Sequence, residues 1–309
     1  MVLVTKERFL FMKSFALLSF IFYACTQILL ELTIVQPKEA AYYPLHDALY
    51  FLISIQFALQ LVWLRKLFLS PRNPRPLSDF PDSWSPSTSA WNRLNPSELQ
   101  PAEVIVESLQ ASYVLLYATC NVCFAYANVL WLRENFIFAQ LFYIFNAVLN
   151  MTGVAFLLNN TGAHSLSRKN WLTHTLVKTS VALGILSSWR GWGTIDNRLH
   201  PSISELIETP VIFLLLAIAS GPDPTLGLCL VYNFFALAYG PGISERWRNA
   251  FKYDIAIVGA TVLIDFVAAK LRGITIIRDD TSKPLAVENP TITGEEKKQR
   301  LSAMLNMFV

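Results

Sequence analysis

The chain has 309 residues, 53% of them hydrophobic and 15% charged, with a mean hydropathy of +0.40 and a net charge of +3. A soluble domain of this length carries about 25% charged residues, so the composition excludes an ordinary soluble enzyme and predicts an all-α, polytopic transmembrane helical bundle. Its basic residues are scattered over connections with no aromatic-spaced run, which argues against nucleic acid as a partner.

The first apolar run, residues 14–35, follows Lys6, Arg8 and Lys13, as the core of a signal peptide would. It is longer than the ~7–15 apolar residues of such a core, so it reads as an uncleaved span. A second span covers 47–69 and ends on Trp63, Arg65 and Lys66, an aromatic and basic set that anchors a helix at the headgroups. From 70 the composition turns to Pro, Ser, Asn and Asp, with Trp84 and Trp91 isolated in it; this predicts a polar cytoplasmic loop over 70–103.

The third and fourth spans, 109–132 and 136–158, are joined by Arg133-Glu134-Asn135, a link short enough to make them antiparallel neighbours. A fifth, 171–189, carries His174 and Lys178, and the Gly- and Trp-rich run Arg190 to Asn197 reads as an interfacial turn. The sixth opens near Glu208 and Pro210 and stops at Gly221-Pro222-Asp223-Pro224. The short seventh, 225–239, ends on Gly240-Pro241-Gly242. The eighth covers 252–270, giving about eight spans in a transmembrane domain over 1–272, followed by a polar cytoplasmic tail over 273–309 with a possible short helix at 295–307. Most Lys and Arg residues outside the spans then fall on the side of both termini, which predicts cytoplasmic ends in an endomembrane such as the endoplasmic reticulum. The sequons at Asn150 and Asn159 fall inside a span and on the cytoplasmic side, where no glycan is expected.

Cys25, Cys120, Cys123 and Cys229 all lie in apolar spans and read as small packed hydrophobes, so no disulfide framework is expected. Cys120 and Cys123 form a CxxC, but no second Cys or His pair stands at ligand spacing, and neither metal nor cofactor is expected. There is no phosphate-binding loop, nucleophile elbow, HExxH or DDxxD motif.

The carboxylates carry the strongest chemical signal. In the eighth span the eleven steps from Asp254 to Asp265 bring the second acid within about 20° of the first, roughly 16 Å along the axis, with Thr261 on the same stripe. A charge facing lipid costs a few kcal/mol, so this stripe is expected to face protein or water. With the alternating topology, Glu31, Asp47, Glu208 and Asp254 come to one mouth and Asp265 lies deeper. Burial and mutual repulsion there favour protonated acids near neutral pH; helix-end carboxylates that are simply solvated are the competing reading. Phe136, Phe138, Phe142, Tyr143, Phe145, Tyr232, Phe234, Phe235 and Tyr239 offer ring faces for a developing cation, or else lipid-facing bulk. Asn121, Asn128, Gln140 and Asn146 suit interhelical hydrogen bonds as well as a ligand, and His46 beside Asp47 reads as a loop histidine or a proton relay.

The layout and the acids Glu31, Asp47, Glu208, Asp254 and Asp265 resemble the small fungal multi-pass membrane terpene cyclases of meroterpenoid pathways. That resemblance implies an isomerase- or lyase-type enzyme in which a carboxylic acid protonates an epoxide or alkene on a hydrophobic prenylated substrate, without diphosphate motifs. A second likeness rests on Asn128-Val129-Leu130-Trp131 and on Gly191-Trp192-Gly193-Thr194-Ile195-Asp196-Asn197, which resemble segments of the TspO-type tryptophan-rich sensory proteins. It implies a binder of porphyrin- or sterol-like molecules. A proton-coupled transporter using Asp265 is the third possibility. The expected partners are thus the lipid bilayer and an apolar small molecule.

Overall fold

In a computed structural model, the chain is described for residues 2–33, 40–69, 103–106, 108–158, 166–167, 171–196, 198, 200–219, 223–271 and 277–278. The polar loop up to residue 102, the second sequon at Asn159 and nearly all of the tail, with its possible short helix, lie outside them.

Eight α-helices form the body: α1 (Lys6–Thr33), α2 (His46–Leu69), α3 (Ser108–Leu132), α4 (Phe136–Thr152), α5 (Trp171–Asp196), α6 (Ile203–Ala219), α7 (Thr225–Ala238) and α8 (Glu245–Leu271). A π-helical stretch, Gly153–Leu158, prolongs α4. Two small strand pairs were not foreseen. β1 (Val2–Thr5) runs antiparallel to β2 (Glu103–Val106), and β3 (Leu166–Ser167) runs parallel to β4 (Ile277–Arg278). The first pair fixes the starts of α1 and α3 at one end of the bundle, as the alternating topology requires.

Four helical stretches, Glu7–Thr33, His46–Leu69, Ser112–Leu132 and Phe136–Ala155, are long and apolar enough to cross a membrane. Leu10, Phe11, Leu18 and Ile28 on α1, and Ile137, Phe138, Leu141 and Phe145 on α4, stay exposed. Long apolar helices with outward apolar faces identify a membrane protein. The other helices are shorter or less apolar, so the count of eight spans is not established.

The bundle is organised on α5. Its Leu176, Val181, Ala182 and Leu186 are buried. On one side it packs against α4, which continues through α3 to α1; on the other it meets α7, and α8 packs on both α6 and α7, while α2 lies against a third face. The α3–α4 turn is closed by the Asn135 amide donating to Leu130 O (2.9 Å), with Glu134 at φ 58°. As expected, the two helices are antiparallel neighbours.

Over Arg190 to Asp196 the expected turn is instead the last two turns of α5. Two helical glycines cost about 1 kcal/mol each relative to alanine in local propensity, but here they allow close packing. A Cβ on Gly191 would overlap Gln140 Oε1, and one on Gly193 would overlap Tyr42 O and its ring. The segment Ala41 to Leu45 therefore lies directly on the end of α5, where the Ala41 amide donates to Gly193 O (2.8 Å) and the Leu45 amide to Ala236 O (2.7 Å).

Candidate functional site

Two polar sites sit on α5, one toward each end. Toward the end where the α3–α4 turn lies, Arg190 is 4% exposed. Its Nη2 donates to Tyr143 OH (3.1 Å), and its guanidinium carbon lies 4.3 Å from the Trp131 ring centroid. The contacts continue across three helices: Tyr143 OH donates to Asn128 Oδ1 (2.8 Å), Asn128 Nδ2 to Gln27 Oε1 (2.9 Å), and Gln27 Nε2 to Glu31 Oε1 (2.7 Å). Glu31, half-buried, is thus joined to the cation by hydrogen bonds through a relay of neutral side chains.

Among the described residues no carboxylate forms an ion pair with Arg190, and its Nε has no partner. Trp131 Nε1 and Gln140 Oε1, both buried, are likewise without hydrogen bonds. A buried charge is costly unless paired and hydrogen-bonded. The tyrosine and tryptophan faces offset part of that cost through cation–π attraction, but the remaining donor capacity suits an acceptor that carries negative charge.

Gln140 also lines a cleft of about 220 Å³, together with Ser188, Trp189, Trp192 and Glu205. Trp192 is exposed and Trp189 half-buried, so the cleft has apolar walls and an open side. Glu205 was not singled out in the sequence, although the spacing from Ser202 forms a capping box. Its Oε2 accepts from the Ser202 amide (2.7 Å) and hydroxyl (2.8 Å), while Ser202 Oγ accepts from the Glu205 amide (3.2 Å). Behind the cleft, Trp189 is part of an aromatic cluster with Tyr42, Phe213, Phe234, Trp247 and Phe251. Burial, then the nearby Glu205 and Asp196, push the Tyr42 phenol well above its ordinary value and keep it neutral.

Toward the other end of α5, Lys178 Nζ forms a buried ion pair with Asp223 Oδ2 at 2.7 Å. Asp223 Oδ1 accepts from the Thr225 hydroxyl (2.6 Å) and amide (3.0 Å) at the start of α7. Burial alone would raise the Asp223 carboxyl; the Lys178 charge and these hydrogen bonds outweigh it and hold the group below the usual carboxylate range. His174, one turn from Lys178, is buried with Nε2 unpartnered. From sequence Lys178 could face another helix or snorkel; it faces protein, and its partner lies in a Gly-Pro-Asp-Pro breaker that gave no sign of the pairing.

The expected ring of acids is only partly assembled. Asp254 is 5% exposed, on the face of α8 that also buries Phe251 and Val258. Glu31 is half-buried within the Arg190 relay, while Asp47 is exposed on the first turn of α2 and Glu208 on the second turn of α6. Asp265 is exposed, against the expectation that it shares an inward stripe with Asp254. The reason is length. Gly227 of α7 packs on Val262, and α7 begins only two residues earlier, so Asp265 extends beyond its partner helix.

The aromatic residues split similarly. Tyr143 and Phe234 are buried, whereas Phe138, Phe145, Phe235 and Tyr239 are exposed. Cys120 and Cys123 are buried free thiols, Cys229 is half-buried and Cys25 exposed. Asn150 of the first sequon is 1% exposed, its amide bonded to Asn146 O and Oδ1, so that sequon presents no accessible acceptor. Among the described residues no three His, Cys, Asp or Glu side chains converge as metal ligands.

No family profile, curated protein or solved structure matches the chain.

Proposed function

We propose that this membrane protein binds an amphiphilic small molecule with an acidic head group, where α3, α4, α5 and α6 meet. The observation that carries the reading is the buried Arg190 guanidinium, with an unpartnered Nε and no ion-paired carboxylate among the described residues, next to the equally unpartnered Trp131 Nε1. A carboxylate or phosphate accepts from both donors, and the cleft of Trp189 and Trp192 takes an apolar body. The two segments that resemble TspO-type proteins meet here: Trp131 Cζ3 lies 3.7 Å from where a Cβ on Gly191 would stand.

Binding to the purified protein in nanodiscs, read from tryptophan fluorescence, tests this with a long-chain carboxylate or prenyl phosphate against the alcohol of the same chain. A hydrogen bond to a charged group contributes about 1.5–3 kcal/mol, so the anion should bind tighter by roughly ten- to a hundredfold. Arg190→Met should remove that preference and leave alcohol binding in place. Equal affinity of acid and alcohol for the wild type, or a preference that survives in Arg190→Met, refutes the anion site.

A second reading, acid-initiated cyclisation of a prenylated substrate in an endomembrane, is favoured by one observation. Asp254 is buried one turn from Phe251, inside the region of the aromatic cluster, with no described partner for its carboxyl. A protonated carboxyl beside ring faces has the parts such chemistry needs, whereas the exposed Asp265, Asp47 and Glu208 do not enclose a substrate. Microsomes carrying Asp254→Asn should then express normally and lose turnover of an epoxyfarnesyl phenol; unchanged product removes this reading. Protease treatment of the same sealed microsomes should cleave a C-terminal tag if that end is cytoplasmic, as the basic-residue bias supports.

A further inference from the structure

Between α1, α2, α3, α4 and α5 lies a second, much smaller cavity of about 20 Å³. Its walls carry neutral polar groups, and three of them are buried atoms with no hydrogen-bond partner: Tyr23 OH, Gln56 Oε1 and Asn150 Oδ1. The three residues are 2%, 1% and 1% exposed. Each orphaned buried polar atom costs about 1–3 kcal/mol, and three of them around one cavity point to a common partner.

The identity of each atom follows from its neighbours. Ser180 Oγ gives its proton to Leu176 O (2.8 Å), so it can only accept from Gln56 Nε2 at 2.5 Å. That fixes the Gln56 carbonyl oxygen as the free end. Asn150 Nδ2 donates to the Asn146 carbonyl at 3.0 Å, so its oxygen is likewise the unpartnered acceptor. Nearby, Tyr117 OH donates to Gln60 Oε1 (2.9 Å), which also accepts from Asn121 Nδ2 (3.4 Å). Gln60 is therefore already satisfied as an acceptor, and the demand comes from the other three groups: two acceptors and one hydroxyl.

We infer that this cavity is an ordered-water site, in which a water donates to Gln56 Oε1 and Asn150 Oδ1 and accepts from Tyr23 OH. A cavity of this measure holds about one water, which needs two to four polar partners, and three are provided. It is far too small for a prenyl chain or a ring system, so the site is separate from the proposed amphiphile cleft. The water ties α1, α2 and α4 directly, and α5 through Ser180, so the interior of this half of the bundle is a hydrated polar seam.

Radiolytic hydroxyl labelling of the full chain in nanodiscs, with H₂¹⁸O exchange, tests this, because buried side chains are modified only where water sits beside them. Tyr23 and Tyr117 should be labelled several-fold more than Phe234 and Phe251, which are as deeply buried but line neither described cavity. Gln56→Met combined with Asn150→Leu removes both acceptors and should reduce labelling of Tyr23 to the level of those phenylalanines, while theirs stays unchanged, showing an intact fold. Labelling of Tyr23 no greater than that of Phe234 in the wild type overturns the inference. So does labelling that persists in the double variant while the phenylalanines stay protected.

Discussion

Replacing Lys178 with methionine is expected to destabilise the protein by about 3–5 kcal/mol, the usual consequence of leaving one partner of a buried ion pair without its countercharge. Asp223 would keep its hydrogen bonds from Thr225 but lose the cation at 2.7 Å that makes ionisation favourable in a buried position. The double variant Lys178→Met, Asp223→Asn should recover most of the loss, since the amide oxygen can still accept from Thr225 and no net charge remains buried. Unfolding titrated with SDS in mixed micelles measures all three.

The pH dependence has a definite sign. In the wild type the folded Asp223 carboxyl is held below its unfolded value of about 3.9, so its stabilising contribution is present above that value and is lost as the pH falls through the folded one. In Lys178→Met only burial and the Thr225 bonds remain, the carboxyl rises, and acidification should shrink the deficit relative to wild type. A deficit that is the same at pH 7 and pH 4.5, or a double variant as unstable as the single one, shows that the Lys178 aliphatic stem and not its charge holds α7 against α5.

Much of the helical framework was legible because apolar runs end at strong breakers. Gly240-Pro241-Gly242 closes α7 near where it was expected, and Arg133-Glu134-Asn135 makes α3 and α4 antiparallel neighbours. The end of α5 was not legible, since local composition around Gly191 and Gly193 favours a turn, whereas the helix continues there with Tyr42 and Gln140 packed closely on the glycines. Helical phase places Asp254 and Asp265 on one stripe, but phase says nothing about how far a neighbouring helix reaches. α6 and α7 have 17 and 14 residues against 27 for α8, so one end of the longer helix lacks a neighbour.

For the candidate site, the sequence showed Asn128, Trp131 and Gln140 as polar or aromatic residues within spans. It offered nothing to pair Trp131 with Arg190, which read as an interfacial charge. A buried arginine is recognisable only once three helices are seen to surround it. Positions in an acidic mouth could be ranked by depth from sequence; burial could not, because it depends on packing between distant segments.

Gly240→Ala is expected to be as damaging as the loss of the ion pair, through sterics alone. A Cβ at this position would overlap the Tyr43 carbonyl oxygen and approach its carbon at 2.9 Å, and both are backbone atoms that no rotamer change can move. The segment from Ala41 to Leu45 would have to lift off. That would disturb the Ala41–Gly193 and Leu45–Ala236 hydrogen bonds, each contributing about 0.5–1.5 kcal/mol, in addition to about 1–3 kcal/mol for overpacking. Tyr42 would move with it, and with it the aromatic cluster that backs the Trp189 cleft, so ligand affinity should fall together with stability. Gly259→Ala provides the internal contrast. There a Cβ meets only Val231 Cγ2 at 3.8 Å in the middle of α8, so the gain in helix propensity should dominate and stabilise by up to about 1 kcal/mol. Opposite signs for the two alanines in the same SDS titration are the expected result. If Gly240→Ala is neutral, the Tyr43 carbonyl does not lie against α7 and the strap over the end of α5 is misplaced.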